Sequence, residues 1–267
     1  MRVAVVGHVE WAEFARIERM PRAGEIVHAL ERWEGAGGGG AVAAVELARL
    51  AGEALFFTAL GDDALGHRAA AELGARGVQV HAAFRPEPQR RVFVHVDAAG
   101  ERTITVIGPR VAPRRDDALQ WQQLERCDAV YFTAGDAGAL GAARAARVLA
   151  ATPRALATLV EAQLPLDLLV GSARDAGERV HAGALTPPPA LLVQTEGPAG
   201  GRFVRASGAM GRFDAAAPPT PIVDTYGAGD CFAAALTYAL AARDPLDRAL
   251  SFAALRGAAA LGRRGPS

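Results

Sequence analysis

The chain has 267 residues, of which 51% are apolar, with 29 basic and 29 acidic side chains, so it can bury the core of one large α/β domain. The charges alternate in sign and form no basic patch with interleaved aromatics, which argues against a nucleic-acid partner. No apolar run approaches the roughly 18 residues of a membrane span, and the start of the chain lacks a signal peptide, so we expect a cytoplasmic protein without a membrane partner.

Cysteine, histidine and lysine, which build disulfides, metal sites and Walker A phosphate loops, are few or absent in this sequence. The two cysteines, Cys127 and Cys231, give no disulfide framework and fit a reducing compartment. The six histidines stand singly, without the spacing of a structural metal site; they are His8, His28, His67, His81, His95 and His181. The chain contains no lysine, which excludes a Walker A loop because that motif requires one.

Strand-length apolar runs alternate with alanine- and leucine-rich segments of helical period, a pattern typical of a mostly parallel sheet flanked by helices. In the first part of the chain the pattern predicts strands at 3–7, 54–60 and 78–84 and helices at 39–52 and 63–77. In the second part it predicts helices at 117–127, 139–151, 228–242 and about 246–262, strands at 128–135 and 190–195, and a hairpin at 200–213.

Two segments interrupt this alternation. Residues 13–33 and 90–108 show the polar alternation of hairpins, and the second is expected to turn at Ala98–Gly100. They predict a small antiparallel lid that stands off the main sheet.

The stretch "DTYGAGDCF", from Asp224 to Phe232, comes directly before the predicted helix 228–242. Gly227 and Gly229 have no Cβ, so a phosphate can approach the backbone closely there. The unpaired N–H groups and the dipole of a helix N-terminus together attract anions. A simpler reading is an ordinary helix start in which Asp230 favours the dipole.

The longer motif D-T-x-G-A-G-D resembles the signature of the ribokinase-like, PfkB-type carbohydrate kinases. Segments similar to other motifs of that family follow in the family's order: "GGGGAVAAVELARLAG", "TALGDDALGHRAAAELGARGVQV", "GERTI", "CDAVYFTAG" and "LLVQTEGPAGG". The resemblance covers nearly the whole chain. It implies a three-layer α/β ribokinase-like fold with a mostly parallel sheet, one domain over 1–267, lid segments at about 9–35 and 88–108, and a homodimer formed through the lid.

The resemblance further implies ATP-dependent phosphorylation of a hydroxyl on a small molecule such as a sugar, a nucleoside or a related metabolite. The N–H groups of Gly227, Ala228 and Gly229 would neutralise the moving phosphoryl group. Asp230 would accept the hydroxyl proton, and with an ordinary pKa it would be ionised at neutral pH.

By the same resemblance, ATP, Mg²⁺ and, in many members, a monovalent cation such as K⁺ are implied. Asp175, in "SARD", stands where the family has N-x-x-E for Mg²⁺ and is expected on one helical face with Ser172; a solvated helix acid is the alternative. Asp224 resembles the ligand of the monovalent cation, completed by main-chain groups near Ala260 and Gly265, and the alternative is an Asx cap. The residues that resemble the family's nucleotide site are Thr195, Gly197, Gly200 and Thr225.

The acceptor site is where the chain departs from the family. Gly37 and Gly38 would lie against the acceptor, but Glu10 and Ala12 stand where the family has N-x-D, and Val42 replaces a second asparagine. The loss of these hydroxyl-binding groups predicts a less polar acceptor, such as a nucleoside. Glu10 or Glu13 could substitute as the acceptor ligand. Trp11 either lines the pocket or packs, as expected for Phe14.

Two other readings remain open. A catalytically impaired relative that binds a nucleotide or metabolite as a regulatory or structural protein is favoured by the altered acceptor and metal motifs. A nicotinamide-dependent oxidoreductase would need G-x-G-x-x-G after the first strand, and "VVGHVEWAE" lacks it. Cys231 follows Asp230 at a helix start that can lower a thiol pKa, or it simply packs as a small apolar residue.

Overall fold

The structure is a computed structural model that describes residues 1–180, 183–218 and 221–265; His181 lies outside these ranges. The strands are β1 (Val3–Val6), β2 (Glu10–Arg16), β3 (Glu31–Gly37), β4 (Ala54–Gly61), β5 (Val78–Arg85), β6 (Arg91–Val96), β7 (Arg102–Ile107), β8 (Ala129–Phe132), β9 (Val148–Ala151), β10 (Leu168–Ser172), β11 (Leu191–Thr195), β12 (Gly201–Arg205) and β13 (Met210–Phe213). The α-helices are α1 (Gly39–Ala51), α2 (Ala64–Ala75), α3 (Ala137–Ala143), α4 (Leu156–Ala162), α5 (Ala228–Ala241) and α6 (Leu246–Ala260). Short 3₁₀ helices are Trp121–Arg126, Pro153–Ala155, Ala176–Glu178 and Gly197–Ala199.

The central sheet has nine strands in the order β13-β12-β11-β10-β9-β8-β1-β4-β5. The pairs from β11 to β5 are all parallel, and β12 and β13 add an antiparallel edge. The predicted α/β fold with a mostly parallel sheet is confirmed. Because ligands of such sheets bind at the carboxyl ends of the strands, the residues that follow β1, β9, β10 and β11 are brought to one edge.

Helices cover both faces of this sheet. Along β1, Val3 and Val5 pack in the cluster that contains residues of α1, α2, α5 and α6. Ala4 and Val6 point to the other face, where α3 and α4 contribute to a second cluster. The strand is fully buried, as expected for a parallel strand between two helical layers.

One predicted helix is wrong in its second half. The segment 139–151 contains α3, which ends at Ala143, and then the strand β9, whose four residues are all buried between β8 and β10. Alanine favours helix in isolation, but burial on both faces of a sheet prevails here. Arg144 and Arg147 fix the connection, since they pair with Asp167 and Asp128 at 2.7 and 2.9 Å.

Two further elements differ from the prediction. The segment 117–127 forms only the 3₁₀ helix Trp121–Arg126, whose indole and Leu124 are buried. Between about 152 and 190, where no element was assigned, lie α4 and the buried strand β10.

The lid sheet has the order β3-β2-β6-β7. Its two hairpins, β2–β3 and β6–β7, are antiparallel as predicted, and a parallel β2–β6 pair joins them. The second hairpin turns as expected, with the N–H of Gly100 donating to the carbonyl of Asp97 at 3.0 Å.

One face of the lid sheet is attached to the rest of the molecule. Phe14 and Val94 pack in a cluster with Val42, Tyr226 and Cys231, which belong to α1, to the loop before α5 and to α5 itself. The ring of Phe14 meets that of Tyr226 edge-on at 5.1 Å. The lid therefore rests on the start of α5. In the described ranges, no helix combines the length and apolar character needed to cross a bilayer.

Candidate active site

Helix α5 begins at an unusual backbone turn. Gly227 caps it with a φ of 77°, a left-handed conformation that favours glycine. A Cβ at this position would lie 2.9 Å from Cγ1 of Val42. The first helical hydrogen bond runs from the N–H of Cys231 to the carbonyl of Gly227 at 2.9 Å. Within the described part of the chain, the N–H groups of residues 228–230 have no acceptor, so this helix start can bind an anion.

Asp224 holds the loop that leads into α5. It is fully buried, and its two oxygens accept hydrogen bonds from the N–H groups of Tyr226 at 2.8 Å and Gly265 at 2.7 Å. Burial raises the pKa of this carboxyl although both hydrogen bonds oppose the shift. The hydrogen bond from Tyr226 is the Asx-type cap that the sequence analysis gave as one of two alternatives, and the bond from Gly265 adds a link to the C-terminal segment. The other alternative, a cation ligand, stays a prediction.

Asp230 lies in the first turn of α5, against the glycine segment of α1. A Cβ at Gly39 would come 2.7 Å from its Oδ1, so the carboxylate occupies space that only glycine leaves free. Burial first, then the negative charge of Glu178, raises the pKa of Asp230 to about 7, while Arg102 and Arg154 oppose the shift. The expectation of an ordinary pKa was wrong, because the sequence does not reveal how deeply the carboxyl is buried.

The glycine segment 37–40 fits tightly between this helix and β1. The N–H of Gly38 donates to the hydroxyl of Tyr226 at 2.7 Å. Gly38 has a φ of 86°, and a Cβ there would lie 3.1 Å from Cγ of Glu10. Gly38 thus lies beside Glu10, and the adjacent Gly39 lies beside Asp230; the role of Gly37, Gly38 and Glu10 toward an acceptor stays a prediction.

The carboxyl end of β1 carries a charged cluster. Glu10 forms an ion pair with Arg90 at 2.8 Å, and His8 Nε2 lies 3.7 Å from the same carboxylate oxygen. Burial lowers the pKa of His8 to about 3, helped by Arg110, Arg90 and Arg154, so the imidazole is neutral. Its Nδ1 is buried without a hydrogen-bond partner in the described residues. The ion pair and the imidazole make this end of the cleft polar; the less polar acceptor stays a prediction.

Three side chains near Glu10 in the sequence do not face the cleft. Trp11 is completely buried and donates to Glu34 at 3.3 Å, so the pocket-lining reading was wrong and the packing reading holds. Phe14 is also completely buried, as predicted. Glu13 pairs with Arg91 on the lid, which leaves Glu10 as the acid at the cleft.

Arg154 was missed at the sequence level. It follows β9 in a short 3₁₀ helix and pairs with Glu178 at 2.8 Å and with Asp175. Its positive charge also lowers the pKa of His8 and opposes the raised pKa of Asp230. Recognising the buried run before "TPR" as a strand would have placed this arginine at the active edge of the sheet.

The expected helical face shared by Ser172 and Asp175 was wrong. Ser172 ends β10, and Asp175 caps the next 3₁₀ helix by accepting from Gly177 at 2.8 Å. Its other oxygen is engaged by Arg154. Across the described residues, no group of three or more His, Cys, Asp or Glu side chains could hold a metal ion.

The predicted nucleotide loop lies at the antiparallel edge. Thr195 ends β11, while Gly197 and Gly200 have φ values of 65° and 78°. A Cβ at Gly200 would meet the carbonyl of Phe213 at 2.0 Å, so glycine is required there. Next to it, an open cavity of about 940 Å³ lies between the β12–β13 hairpin and α6. Its lining includes Phe203, Arg205, Phe213, Leu246, Leu250 and Ala254.

Thr225 lies apart from this loop, under the lid. Arg102 of β7 donates to its carbonyl at 2.7 Å and to its hydroxyl at 3.2 Å. The lid hairpin is thus tied to the residues that lead into α5.

Comparison with protein families decides the assignment. The family model of the pfkB family carbohydrate kinases matches residues 1–161 and 140–267. The chain belongs to the pfkB family of carbohydrate kinases. It is therefore a kinase, and the resemblance noted in its motifs is confirmed.

Individual proteins that are similar to this pfkB-family kinase are also named as kinases or phosphotransferases. It is 31% identical to an ATP-dependent ribose-1-phosphate kinase of Halopiger xanaduensis, over 99% of this chain and 93% of that protein. It is 39% identical over 69 residues to an acarbose 7(IV)-phosphotransferase of Actinoplanes, a match that spans 26% of this chain and 23% of that protein. Its fold matches the structure of Arabidopsis thaliana ribokinase complexed with ribose and ATP, with a TM-score of 0.75 and 22% identity, over 99% of this chain and 93% of that one.

Cys231 packs inside this pfkB-family kinase. Burial raises the pKa of its thiol to about 12, with Glu46 and Asp230 adding to the shift. The lowered thiol pKa that a helix start can produce is absent here, so the packing role is the one that the structure supports.

Replacing Asp230 with asparagine should raise the melting temperature at pH 8 and leave it unchanged below about pH 4. Folding raises the pKa of this carboxyl from 3.8 to about 7, so the folded state holds the proton more tightly than the unfolded chain does. The wild type therefore loses stability as the pH rises from about 4 to about 7, and the uncharged asparagine avoids that loss. Calorimetry across this range measures the difference, with the exposed Asp116→Asn as control. Equal melting temperatures of wild type and D230N at pH 8 would contradict the raised pKa.

Proposed function

We propose that the protein phosphorylates a hydroxyl group of a sugar or sugar-like metabolite with ATP, with Asp230 as the base and the N–H groups at the start of α5 as the anion site. One observation carries this proposal: unpaired N–H groups and a carboxylate with a pKa of about 7 share one helix turn beside the glycine segment of α1. The single unit 1–267 would bind both substrates, with 9–35 and 88–108 as its lid.

In the proposed reaction, the acceptor oxygen attacks the terminal phosphorus atom of ATP while its proton passes to Asp230. The new P–O bond forms, the bond to ADP breaks, and ADP leaves with its electron pair. The N–H groups of Ala228 and Gly229 stabilise the negative charge of the moving phosphoryl group. A base with a pKa near 7 suits this role at neutral pH, because enough of it is ionised and it still binds a proton well.

The nucleotide would lie across the antiparallel edge of the central sheet. The open cavity between the β12–β13 hairpin and α6 is apolar enough at Phe213 and Leu250 to hold a base. Gly200, in the predicted nucleotide loop, lies against Phe213, which lines this cavity. Thr225, held by Arg102, would lie near the phosphates.

The two acids that follow β10 are not free to bind Mg²⁺ directly. Asp175 and Glu178 are both engaged by Arg154, so they do not fit direct ligation. Mg²⁺ binds readily through substrate phosphates and water, and we propose that it enters with ATP. K⁺ at Asp224 would have to share oxygens that already accept two N–H groups.

The proposed acceptor is a carbohydrate rather than a nucleoside. The ion pair of Glu10 with Arg90 and the neutral imidazole of His8 suit a polar ligand. The Halopiger relative is named for ribose 1-phosphate and the Actinoplanes relative for acarbose, which makes both compounds, with ribose and adenosine, a sensible panel.

ATP turnover with this panel tests the proposal. The wild type should phosphorylate at least one carbohydrate, and Asp230→Asn should lower kcat by about 10²–10⁴-fold while ATP still binds. Gly229→Ala should also lower kcat, because its Cβ enters space that is open in the wild type, although alanine is the better helix former by about 1 kcal/mol.

The engagement of Asp175 by Arg154 favours a second candidate, a relative that binds its ligands without catalysis. Binding of ATP and a carbohydrate with no turnover, and no effect of D230N, would support that candidate and overturn the first.

The rate should follow the ionisation of Asp230. We expect kcat/KM to rise with pH through about 7 and then level off, because only the ionised carboxylate accepts a proton. Glu178→Gln should move the midpoint to lower pH, since it removes the negative charge that contributes most to the raised pKa after burial. A midpoint that stays fixed or moves upward would contradict this assignment.

We also propose a homodimer formed through the lid. β7 is an edge strand of the lid sheet, and all six of its residues are exposed, including Ile104, Val106 and Ile107. An exposed apolar edge strand readily pairs with another chain. Sedimentation should show a dimer at micromolar concentration and a monomer for Val106→Lys, whereas a monomeric wild type would contradict the proposal.

A further inference from the structure

Two arginines at one end of the lid sheet lie in the same row across its strands. Arg16 ends β2 and Arg102 begins β7, and both are paired with Val96 of β6, which lies between them. Side chains that are paired directly across strands share one face of a sheet. Val96 is completely buried in the cluster that attaches the lid to α5. The two arginines therefore belong to the face of the lid that meets the loop before α5.

Both side chains bind the main chain of that loop, on either side of Asp224. Arg16 donates to the carbonyl of Val223 at 2.9 Å. Arg102 donates to the carbonyl of Thr225 at 2.7 Å and to its hydroxyl at 3.2 Å. The carboxylate between these two carbonyls accepts two main-chain N–H groups. The carbonyl and carboxylate oxygens of this short segment therefore already have donors.

The arginines are themselves held by neighbouring groups of the lid. Arg16 pairs with Glu31 at 3.5 Å, and its guanidinium lies 5.7 Å from the centre of the Trp33 ring. The turn of the second lid hairpin adds a third link, because the N–H of Thr225 donates to the carbonyl of Gly100 at 3.1 Å. The lid thus holds the loop before α5 at three points.

These contacts supply positive charge at the position where the motif resemblance implied a monovalent cation. K⁺ is typically coordinated by carbonyl oxygens that replace its hydration shell. A guanidinium group carries a permanent charge and donates several hydrogen bonds. Burial raises the pKa of Asp224, and the charges of Arg16 and Arg102 oppose that rise, so they favour the ionised carboxylate. A K⁺ ion would have to displace the donors from the oxygens that it needs.

We propose that Arg16 and Arg102 are positioning residues that take the place of a monovalent cation, so that this kinase works without K⁺. The inference rests on the proposed function, because the loop that they hold leads into the proposed anion site. The lid, rather than an ion from solution, then fixes the residues that precede α5.

Turnover and thermal melting in K⁺ and in tetramethylammonium salts, compared at equal ionic strength, test the inference. Tetramethylammonium is a cation whose methyl groups prevent close coordination by carbonyl oxygens. The wild type should give the same kcat and the same melting temperature in both salts, because the loop oxygens already have their donors.

Arg102→Ala should create a response to K⁺ that the wild type lacks. The substitution frees both oxygens of Thr225, so kcat in tetramethylammonium should fall by about 3–10-fold. K⁺ should then restore part of kcat and raise the melting temperature, because an ion that binds the folded state stabilises it. Arg102→Lys keeps the charge and should respond less to K⁺, and Arg16→Ala should respond as R102A does. Arg91→Gln, on the same sheet but paired with Glu13, should behave like the wild type.

Three results would overturn the inference. The wild type could gain activity or thermal stability from K⁺, R102A could keep the full wild-type kcat in tetramethylammonium, or R102A could lose activity without any response to K⁺. Failure of the kinase function itself would appear separately, as no turnover in either salt. The melting temperatures would still decide the inference in that case, because K⁺ should stabilise R102A and leave the wild type unchanged.

Discussion

The start of α5 depends on a steric constraint that two chain segments share. Gly227 turns through a left-handed conformation against Val42 of α1, and Asp230 fits because Gly39 of α1 has no side chain. Among the residues that the structure describes, three backbone N–H groups at this helix start have no acceptor, and a carboxylate lies beside them. An added methyl group at 227 or 39 would occupy the space of a neighbouring side chain. The proposed anion site and the proposed base therefore depend on the same close approach of two helices.

The lid is part of this arrangement rather than a separate cover. Asp224 ties the loop before α5 to Gly265, Tyr226 links that loop to Gly38, and Arg102 ties β7 to Thr225. Apolar packing of Phe14 on Tyr226 adds to these hydrogen bonds. A movement of the lid would therefore be transmitted to the residues that precede α5, and in the proposed function it would couple acceptor binding to the geometry of the proposed anion site.

Local sequence signals predicted the elements with clear punctuation. The helix at 39–52, the strand at 54–60 and the hairpin at 200–213 are bounded by glycines, and the structure has them almost unchanged. β9 was missed because alanine and arginine suggest helix while burial between two strands decides its conformation. The glycine motifs located Asp230, Gly227 and Gly38, but Arg154 belongs to no motif and follows β9, a strand that the sequence did not predict. The raised pKa of Asp230 likewise arises from burial and from Glu178, which is distant in sequence.

A crystal structure with ADP, aluminium fluoride and an acceptor sugar that the enzyme phosphorylates tests the central claim most directly, because the fluoride complex mimics the phosphoryl group in transfer. The account predicts fluorine atoms within hydrogen-bond distance of the N–H groups of Ala228 and Gly229, and a carboxylate oxygen of Asp230 next to the acceptor hydroxyl. A phosphoryl mimic bound away from the start of α5, or an acceptor hydroxyl out of reach of Asp230, would contradict it.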